Sequence, residues 1–523
     1  MSEGRRAWTV LAANSAAFAA CFAVWVLYGV LITFFVDNRL YAFDKTRIGL
    51  LMGIPILTGS LLRLPVGILT ERFGGRAVYA GVILLTAASL LVTSVADSFL
   101  AFALSGLGFG VSGAVFAAGV AYTSLWFPKE KQGTALGIFG VGNVGAGLAS
   151  LFAPSLLSFL TEGGTRLEGW RQLPRLYAAG LVATAVLHWL LTHPRRSDAA
   201  ALPLSARLAP LREARVWRFG LYYFLVFGGF VALASWLITY YVNVYGASVA
   251  TAGALAAVFS IPTALVRAFG GWLADRYGPR RVMYGVLSGC LVSFLLLSVP
   301  RMDLFAPGEG LMAPEAGLVY RVSADAVVLN GKPLSLRARP AEPAAPEGVL
   351  VWPRWSAWQE AVVSTGDRVA KKQLLARGTT HVYFQANQWI FTGLAFVAAL
   401  FMGTGMGAVF KYIADNFPSN VGTVGGLVGM IGGLGGFFLP LVFGTVLQVS
   451  GIWTTCWMLF FVLSAACLVW MQLTVTRVMA AGAPELVREM EQPLPAREAE
   501  EVAREMERLA RRLRRPAPPE VTG

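Results

Sequence analysis

Long apolar stretches with almost no charged residues alternate with short polar links along most of the chain. Each stretch holds about twenty residues or more, the length that a helix needs to cross a bilayer. A helix in the core of a soluble protein would keep a polar face, and these stretches have none. The pattern therefore predicts an all-α polytopic membrane protein embedded in a lipid bilayer.

Twelve such stretches are present, and they fall into two sets of six, which we number spans 1 to 12. The first set covers residues 8–36, 46–70, 76–96, 98–125, 132–160 and 174–193. The second set covers residues 217–245, 249–273, 281–299, 389–414, 421–448 and 452–476. The sequence thus predicts twelve transmembrane helices in two six-helix halves.

The interruptions of this pattern predict the domain organisation. The expected segments are an N-terminal half at 1–193, a cytoplasmic linker at 194–216, spans 7–9 at 217–299, an extracytoplasmic insert at 300–388, spans 10–12 at 389–476, and a charged cytoplasmic tail at 477–523. In the insert, short runs bounded by Gly and Pro predict a β-rich fold with strands at Leu318–Val322, Ala326–Leu329, Val349–Trp352 and His381–Phe384. In the tail, acidic and basic residues at helical spacing predict a solvated helix.

Composition and charge agree with a membrane protein. Charged residues make up 14% of the chain, against roughly a quarter in soluble proteins. The net charge of +14 could suggest a nucleic-acid partner. However, the links after spans 2, 4, 6 and 8 carry clusters of Lys and Arg, the pattern of cytoplasmic links, so we expect both termini in the cytoplasm and no nucleic-acid partner. The four cysteines lie inside spans without metal-ligand spacing, and no metal or other cofactor is expected.

The links after spans 2 and 8 carry the same motif, in which a glycine is followed after three residues by an acid and then by an arginine. Its main positions are Gly67, Glu71 and Arg72 in one copy and Gly271, Asp275 and Arg276 in the other. Two copies in equivalent places indicate a duplicated unit and therefore pseudo-symmetric halves. The glycine allows close approach of two helices, and the acid–arginine pair is expected to latch the halves together at the cytoplasmic edge. The motif resembles the signature of the major facilitator superfamily.

Arg63 and Arg267 stand one helical turn before the two motif glycines, roughly 10–12 Å inside the cytoplasmic ends of spans 2 and 8. An arginine near the centre of a membrane helix costs about 2.5–3.5 kcal/mol, so each must face protein, water or a ligand. Pairing with a buried carboxylate or snorkelling to the interface are alternatives, but the other spans hold no Lys, Arg, Asp or Glu at comparable depth, since Lys411 and Asp415 lie near a helix end. Two facing guanidinium groups form an anion site, and their planar fork matches a planar oxyanion.

Spans 5 and 11 both begin with glycine-rich runs that follow a Phe-Pro pair. When the two runs are aligned, Gly137 and Gly140 match Gly426 and Gly429, and Gly142 lies in the first run. Such dense glycine predicts a smooth helix face on which other helices can slide, so we expect these glycines to serve the conformational change.

The paired glycine runs are similar to the signature of the nitrate/nitrite porter family within the superfamily. This resemblance implies a transporter of nitrate and nitrite in a bacterial inner (plasma) membrane, working without a cofactor and as a monomer. It also implies the substrate-binding residues: Arg63 and Arg267 to clamp the anion, Asn143 to donate to it, and the rings of Phe116, Tyr223 and Phe227 to enclose its faces.

Other functions fit the sequence less well. An enzyme would need a catalytic constellation, which His188, His193 and His381 do not form. A major facilitator exporter or importer of another small organic anion or drug is the main alternative. Coupling stays open between nitrate/nitrite antiport and nitrate symport with protons, and the lack of an intramembrane carboxylate favours antiport.

Overall fold

The computed structural model describes residues 3–196, 203–299, 302–339, 354–384 and 387–480. Among these residues, eleven helices are long and apolar enough to cross a membrane, and one bent pair completes a set of twelve. In chain order the spans are Glu3–Val36, Arg47–Phe73, Gly75–Thr93, Phe99–Ser124, the pair Lys129–Ala149 and Leu151–Leu160, Leu167–Leu191, Ala214–Tyr245, Thr251–Tyr277, Pro279–Leu297, Gln388–Asn416, Val421–Ser450 and Thr455–Thr476. The predicted helical membrane fold is confirmed.

The helix ends differ from the predicted ones by a few residues, because helices continue past the apolar stretch into the polar links. The largest difference is at span 6, which starts at Leu167 rather than at residue 174. There a 3-10 turn, Leu167–Arg171, runs directly into the helix Gln172–Leu191. In the linker, a short helix covers Leu204–Leu208 and a 3-10 turn covers Ala209–Arg212. The predicted helical tail lies outside the described residues from residue 481 onwards.

Spans 4, 5 and 7 each contain a 3-10 or π-helical stretch near the middle. Span 4 contains the 3-10 turn Val111–Ala114, and span 5 contains the 3-10 turn Val141–Asn143. Span 7 contains the π-helical stretch Phe224–Gly228. Such irregular turns re-aim side chains and carbonyl groups and are frequent at functional sites.

The two halves meet along glycine-lined helix crossings, span 2 against span 11 and span 8 against span 5. A Cβ atom at Gly426 would lie 2.7 Å from the carbonyl oxygen of Arg63, and one at Gly137 would lie 2.7 Å from that of Arg267. No larger residue fits at this distance unless a backbone moves. The same kind of crossing between the halves is therefore built twice, as the sequence repeat predicts.

The β-rich insert forms a compact unit of residues Leu295–Leu394 with Leu447–Met458. Its strands are β1 Met302–Met312, β2 Gly317–Val322, β3 Ala326–Leu329, β4 Lys332–Ser335, β5 Arg354–Ala361, β6 Arg368–Val369 and β7 Leu374–Phe384. They form a sheet of order β1-β7-β5 and a sheet of order β4-β3-β2-β6, and the neighbouring strands run antiparallel. A small apolar core that includes Val319, Val327 and Leu375 supports the unit. Three of the predicted strands agree with β2, β3 and the end of β7, and Val349–Trp352 lies outside the described residues.

Candidate substrate-binding site

Arg63 and Arg267 are both completely buried, with 0% of each residue exposed. Their guanidinium carbons lie 5.2 Å and 4.9 Å, respectively, from the centre of the same ring, that of Phe116. Arg63 is on span 2 and Arg267 on span 8, so one arginine from each half reaches a shared place in the bundle. The structure thus brings together the two charges that the sequence singled out.

The two arginines have different hydrogen-bond partners. Arg63 donates from Nε to the carbonyl oxygen of Gly113 at 3.1 Å and from Nη1 to the carbonyl oxygen of Gly429 at 2.7 Å. Its Nη2 atom has no partner among the described residues. Gly113 lies in the 3-10 turn of span 4, whereas Gly429 lies on span 11 in the opposite half. Arg63 therefore bonds across the interface of the halves.

Arg267 has no hydrogen-bond partner for Nε, Nη1 or Nη2 within the described part of the chain. Its guanidinium carbon lies 5.9 Å from the ring of Tyr223 and 5.7 Å from that of Phe410. A buried charged donor without a partner is costly, more so than a neutral one. The site is therefore poised to accept a group that supplies negative charge and hydrogen-bond acceptors.

The three predicted aromatic residues lie around these charges with nearly parallel rings. Phe116 is 6.1 Å from Tyr223 and 6.3 Å from Phe227, at interplanar angles of 12° and 10°. Tyr223 and Phe227 are 4.9 Å apart at an angle of 4°. Tyr223 and Phe227 are four residues apart, a spacing that places side chains on the same face of a helix, and the π-helical stretch begins directly after Tyr223.

Asn143 is buried, and neither its Nδ2 nor its Oδ1 atom has a hydrogen-bond partner among the described residues. The hydroxyl oxygen of Tyr223 is likewise buried without a partner in the described part of the chain. Asn143 ends the 3-10 turn of span 5, one turn beyond Gly140, whose added Cβ would collide with the Arg267 guanidinium. Since buried polar groups are normally paired, these unpaired atoms mark a polar site around Arg267.

The predicted conformational glycines line this site and its flanks. A Cβ at Gly429 would lie 3.2 Å from Cδ of Arg63 and 3.6 Å from the ring of Phe116. One at Gly142 would lie 3.0 Å from the carbonyl oxygen of Ser15 on span 1. The glycines therefore give the arginines and the rings the room that side chains would occupy.

At the motif end of the bundle, each motif acid accepts hydrogen bonds from backbone N–H groups near the start of a helix in the opposite half. Glu71 accepts hydrogen bonds from the backbone N–H of Thr423 at 2.9 Å and from its hydroxyl at 2.7 Å. Asp275 accepts from the backbone N–H groups of Gly133 and Thr134 at 2.9 Å and 2.6 Å. Thr423 is the third residue of span 11, so Glu71 also meets the positive end of a helix dipole, whereas Gly133 and Thr134 lie in the second turn of span 5.

These hydrogen bonds differ from the expected pairing of each acid with the arginine that follows it. Arg72 and Arg276 are exposed, and no ion pair between described residues joins them to Glu71 or Asp275. Both acids instead bind backbone N–H and hydroxyl groups of the opposite half, at Thr423 for Glu71 and at Gly133 and Thr134 for Asp275.

Lys411 is a charged residue that the sequence analysis undervalued. It is fully buried, and its Nζ lies 3.2 Å from Oδ1 of Asp275 and 2.9 Å from Oδ1 of Asp415. It also donates to the carbonyl oxygen of Lys129 in the opposite half. The spacing of Lys411 and Asp415, four residues apart on one helix, was the available sequence signal.

Two further aromatic residues at the site carried no distinctive sequence signal. Trp25 lies with its ring 5.4 Å from the guanidinium carbon of Arg63, and it donates from Nε1 to the carbonyl oxygen of Pro55 at 2.7 Å. Phe410 stands edge-on to Phe116 at 5.1 Å. Aromatic residues are common in membrane helices, so only the fold shows which of them reach the arginines.

Comparison with known proteins agrees with this architecture. The profile described as Major Facilitator Superfamily matches residues 13–314 and 374–517. A probable nitrate/nitrite antiporter, NarK1, of Thermus thermophilus is 34% identical over 92% of this chain and 95% of its own length. The chain belongs to the major facilitator superfamily and, within it, to the nitrate/nitrite porter family. A nitrite extrusion protein of Bacillus subtilis is 28% identical over 84% of this chain and 88% of its own length.

A solved structure shows the same fold at low sequence identity. The fucose:proton symporter FucP of E. coli superposes with a TM-score of 0.58 at 15% identity, over 88% of this chain and 98% of that chain. The members of this superfamily are transporters rather than enzymes, which confirms the corresponding prediction.

Proposed function

We propose that this protein moves nitrate and nitrite across a bacterial inner membrane by alternating access, with Arg63 and Arg267 clamping the anion. The observation that carries the proposal is the pair of completely buried arginines around one ring, with four guanidinium nitrogens unpaired among the described residues. Two relatives named for nitrate or nitrite transport support the choice of anion.

The geometry around the arginines suits a planar anion. Guanidinium N–H donors match the in-plane oxygens of such an anion, and Asn143 and Tyr223 add polar atoms that are unpaired among the described residues. Two parallel rings would have to be roughly 7 Å apart to contact both faces of a planar anion between them. The ring centres of Phe116 and Phe227 are 6.3 Å apart. A small outward movement of one ring therefore gives an anion contact on both faces.

The orientation follows from the charge of the links. The links after spans 2, 4, 6 and 8 are rich in Lys and Arg, so the motif end of the bundle faces the cytoplasm and both termini lie there. In this orientation the hydrogen bonds of Glu71 and Asp275 close the cytoplasmic end, and the described conformation keeps both arginines away from solvent.

We infer further that transport is an exchange of nitrate for nitrite rather than symport with protons. Within the described spans, the carboxylates of Glu71 and Asp275 lie eight residues from the arginines, at the motif end, and both accept hydrogen bonds from the opposite half. His188 is buried but bonds to Asn14, away from the arginines. The described part of the substrate site thus supplies no acid or imidazole to carry a proton with the anion.

The substrate assignment is tested with the purified protein in lipid vesicles loaded with unlabelled nitrate. We expect labelled nitrate to enter by exchange, nitrite to compete with it, and the tetrahedral anion sulfate and the neutral sugar fucose not to compete. Vesicles with the Arg267→Lys variant at equal protein content serve as the matched control and should show background entry. Equal competition by sulfate or by a bulky organic anion would contradict the assignment.

A further inference from the structure

The two arginines of the site differ in how their donors are used. Arg63 already uses Nε and Nη1 to bind the carbonyl oxygens of Gly113 and Gly429, whereas all three nitrogens of the Arg267 guanidinium lack a partner among the described residues. If both arginines bound the substrate in the same way, the same guanidinium nitrogens would be unpaired in both. The difference is not predicted by the sequence repeat, because both acceptors of Arg63 are backbone groups.

The Arg63 bond to Gly429 is also a link between the halves, since Arg63 is on span 2 and Gly429 is on span 11. At 2.7 Å, it is a short bond from a charged donor in a dry surrounding, where such bonds are strongest. It lies on the same crossing where Gly426 packs against the Arg63 backbone and where Glu71 caps span 11. Breaking it would weaken this crossing without altering the span 5 and span 8 crossing.

We propose that Arg267 is the principal anion-binding residue and that Arg63, which also contacts the anion, couples anion occupancy to the contact between the halves. When an anion binds, Arg63 exchanges the Gly429 carbonyl for an oxygen of the anion, and the span 2 and span 11 crossing loosens. This inference rests on the proposed function, because it takes nitrate as the ligand. A bound anion would then favour the loosened crossing because it binds that conformation more tightly than the closed one.

The first test compares Arg63→Met with Arg267→Met, using the full chain in detergent and sodium nitrate as the probe. Titration calorimetry should show that Arg267→Met weakens nitrate binding by about a hundredfold or more, whereas Arg63→Met weakens it by at most about tenfold. An equal loss of affinity in the two variants would overturn the inference and leave a symmetric clamp.

The second readout reports the conformation directly. Ser124 is buried at the motif end, and the four native cysteines are buried as well, so Ser124→Cys provides a single site whose reaction with a maleimide requires opening of that end. In the otherwise unmodified protein, nitrate should raise the labelling rate several-fold. With Arg63→Met added, labelling should be fast without nitrate and should not respond to it. A nitrate response that survives Arg63→Met would contradict the coupling role.

The same comparison can be made with two glycine variants that keep the charges of Arg63 and Arg267. These variants serve if a methionine variant does not fold. An added Cβ at Gly429 would press on Cδ of Arg63 at 3.2 Å, and one at Gly140 would collide with the Arg267 guanidinium. Gly429→Ala should preserve nitrate affinity and blunt the labelling response, whereas Gly140→Ala should lower affinity. The reverse pattern would overturn the inference. If the unmodified protein binds no nitrate, the proposed function falls, and this inference falls with it.

Discussion

Arg63 and Arg267 could be found from the sequence because a charged residue deep in a membrane helix has few explanations. Phe116, Tyr223, Phe227 and Asn143 could be placed only through the family resemblance. The structure puts the three rings beside the arginines and leaves the buried amide of Asn143 without a hydrogen-bond partner among the described residues. The acceptors of Arg63 could not be predicted, because carbonyl groups belong to every residue and only the packed helices decide which ones are reached.

The role of the planar guanidinium groups, with their paired N–H donors, can be tested directly at the scale of single residues. Arg63→Lys and Arg267→Lys keep the charge but lose the paired N–H donors, so each should reduce nitrate transport by about a hundredfold or more. Transport is measured in vesicles with equal amounts of inserted protein. An exposed arginine changed in the same way, Arg72→Lys, is the control and should retain transport. Near-normal transport by either buried variant would rule out the clamp.

Asn143 offers a second test, because an acid there would imitate the bound anion. Asn143→Asp places a negative charge one turn from the contact of Gly140 with Arg267, and such a charge should pair with the guanidinium. We expect a higher Tm, loss of the extra stabilisation by nitrate, and loss of transport. Asn143→Ala, which adds no charge, should not raise the Tm. If nitrate still stabilises the Asn143→Asp variant, Asn143 faces away from the anion.

At the scale of helices, the spans and their glycine-rich crossings were predictable because hydropathy and repeated glycines are properties of the sequence itself. The irregular turns in spans 4, 5 and 7 could not be predicted from the sequence, although they contain Gly113, Asn143 and Phe227. None of those turns contains a Pro that would indicate a break in the helix. We therefore attribute the turns to packing against other helices rather than to the local conformational preference of their residues.

The crossing glycines should be needed for movement more than for binding. A Cβ at Gly426 would lie 3.0 Å from Cα of Leu64 and 2.7 Å from the Arg63 carbonyl oxygen, so a leucine there must push two backbones apart. Gly426→Leu should abolish exchange while nitrate still raises the Tm in part. Gly444→Leu is the control on the same helix, since nothing described lies within 4 Å of its added Cβ. Normal exchange by Gly426→Leu would mean that these glycines serve only helix packing and not the conformational change.

At the scale of the whole molecule, the repeat predicted two equivalent latches, and the structure shows two that differ. Both acids accept hydrogen bonds from a helix of the opposite half, but Asp275 also has the buried Lys411 beside it. The aligned position in the first half is Ala121, two residues beyond Gly119 on span 4, and it offers no charge. Divergence of this kind leaves no mark on hydropathy, so the sequence pattern alone could not reveal it.

The buried lysine should therefore matter for stability. Lys411→Met would leave Asp275 and Asp415 without this cation, and breaking a buried ion pair in this way costs about 3–5 kcal/mol. A clear fall in Tm is expected, measured by thermal unfolding of the purified protein. Lys131→Met, which changes an exposed lysine near the same end, should leave the Tm nearly unchanged. An unchanged Tm for Lys411→Met would mean that the network contributes nothing to holding the fold.

Counterflow in lipid vesicles tests the central claim of nitrate/nitrite exchange most directly. Vesicles containing the protein are loaded with nitrite or left empty, and the entry of labelled nitrate is followed with and without a proton gradient. Exchange predicts fast nitrate entry into nitrite-loaded vesicles, little entry into empty ones, and no dependence on the gradient. Nitrate entry into empty vesicles that stops when the proton gradient is dissipated would contradict it.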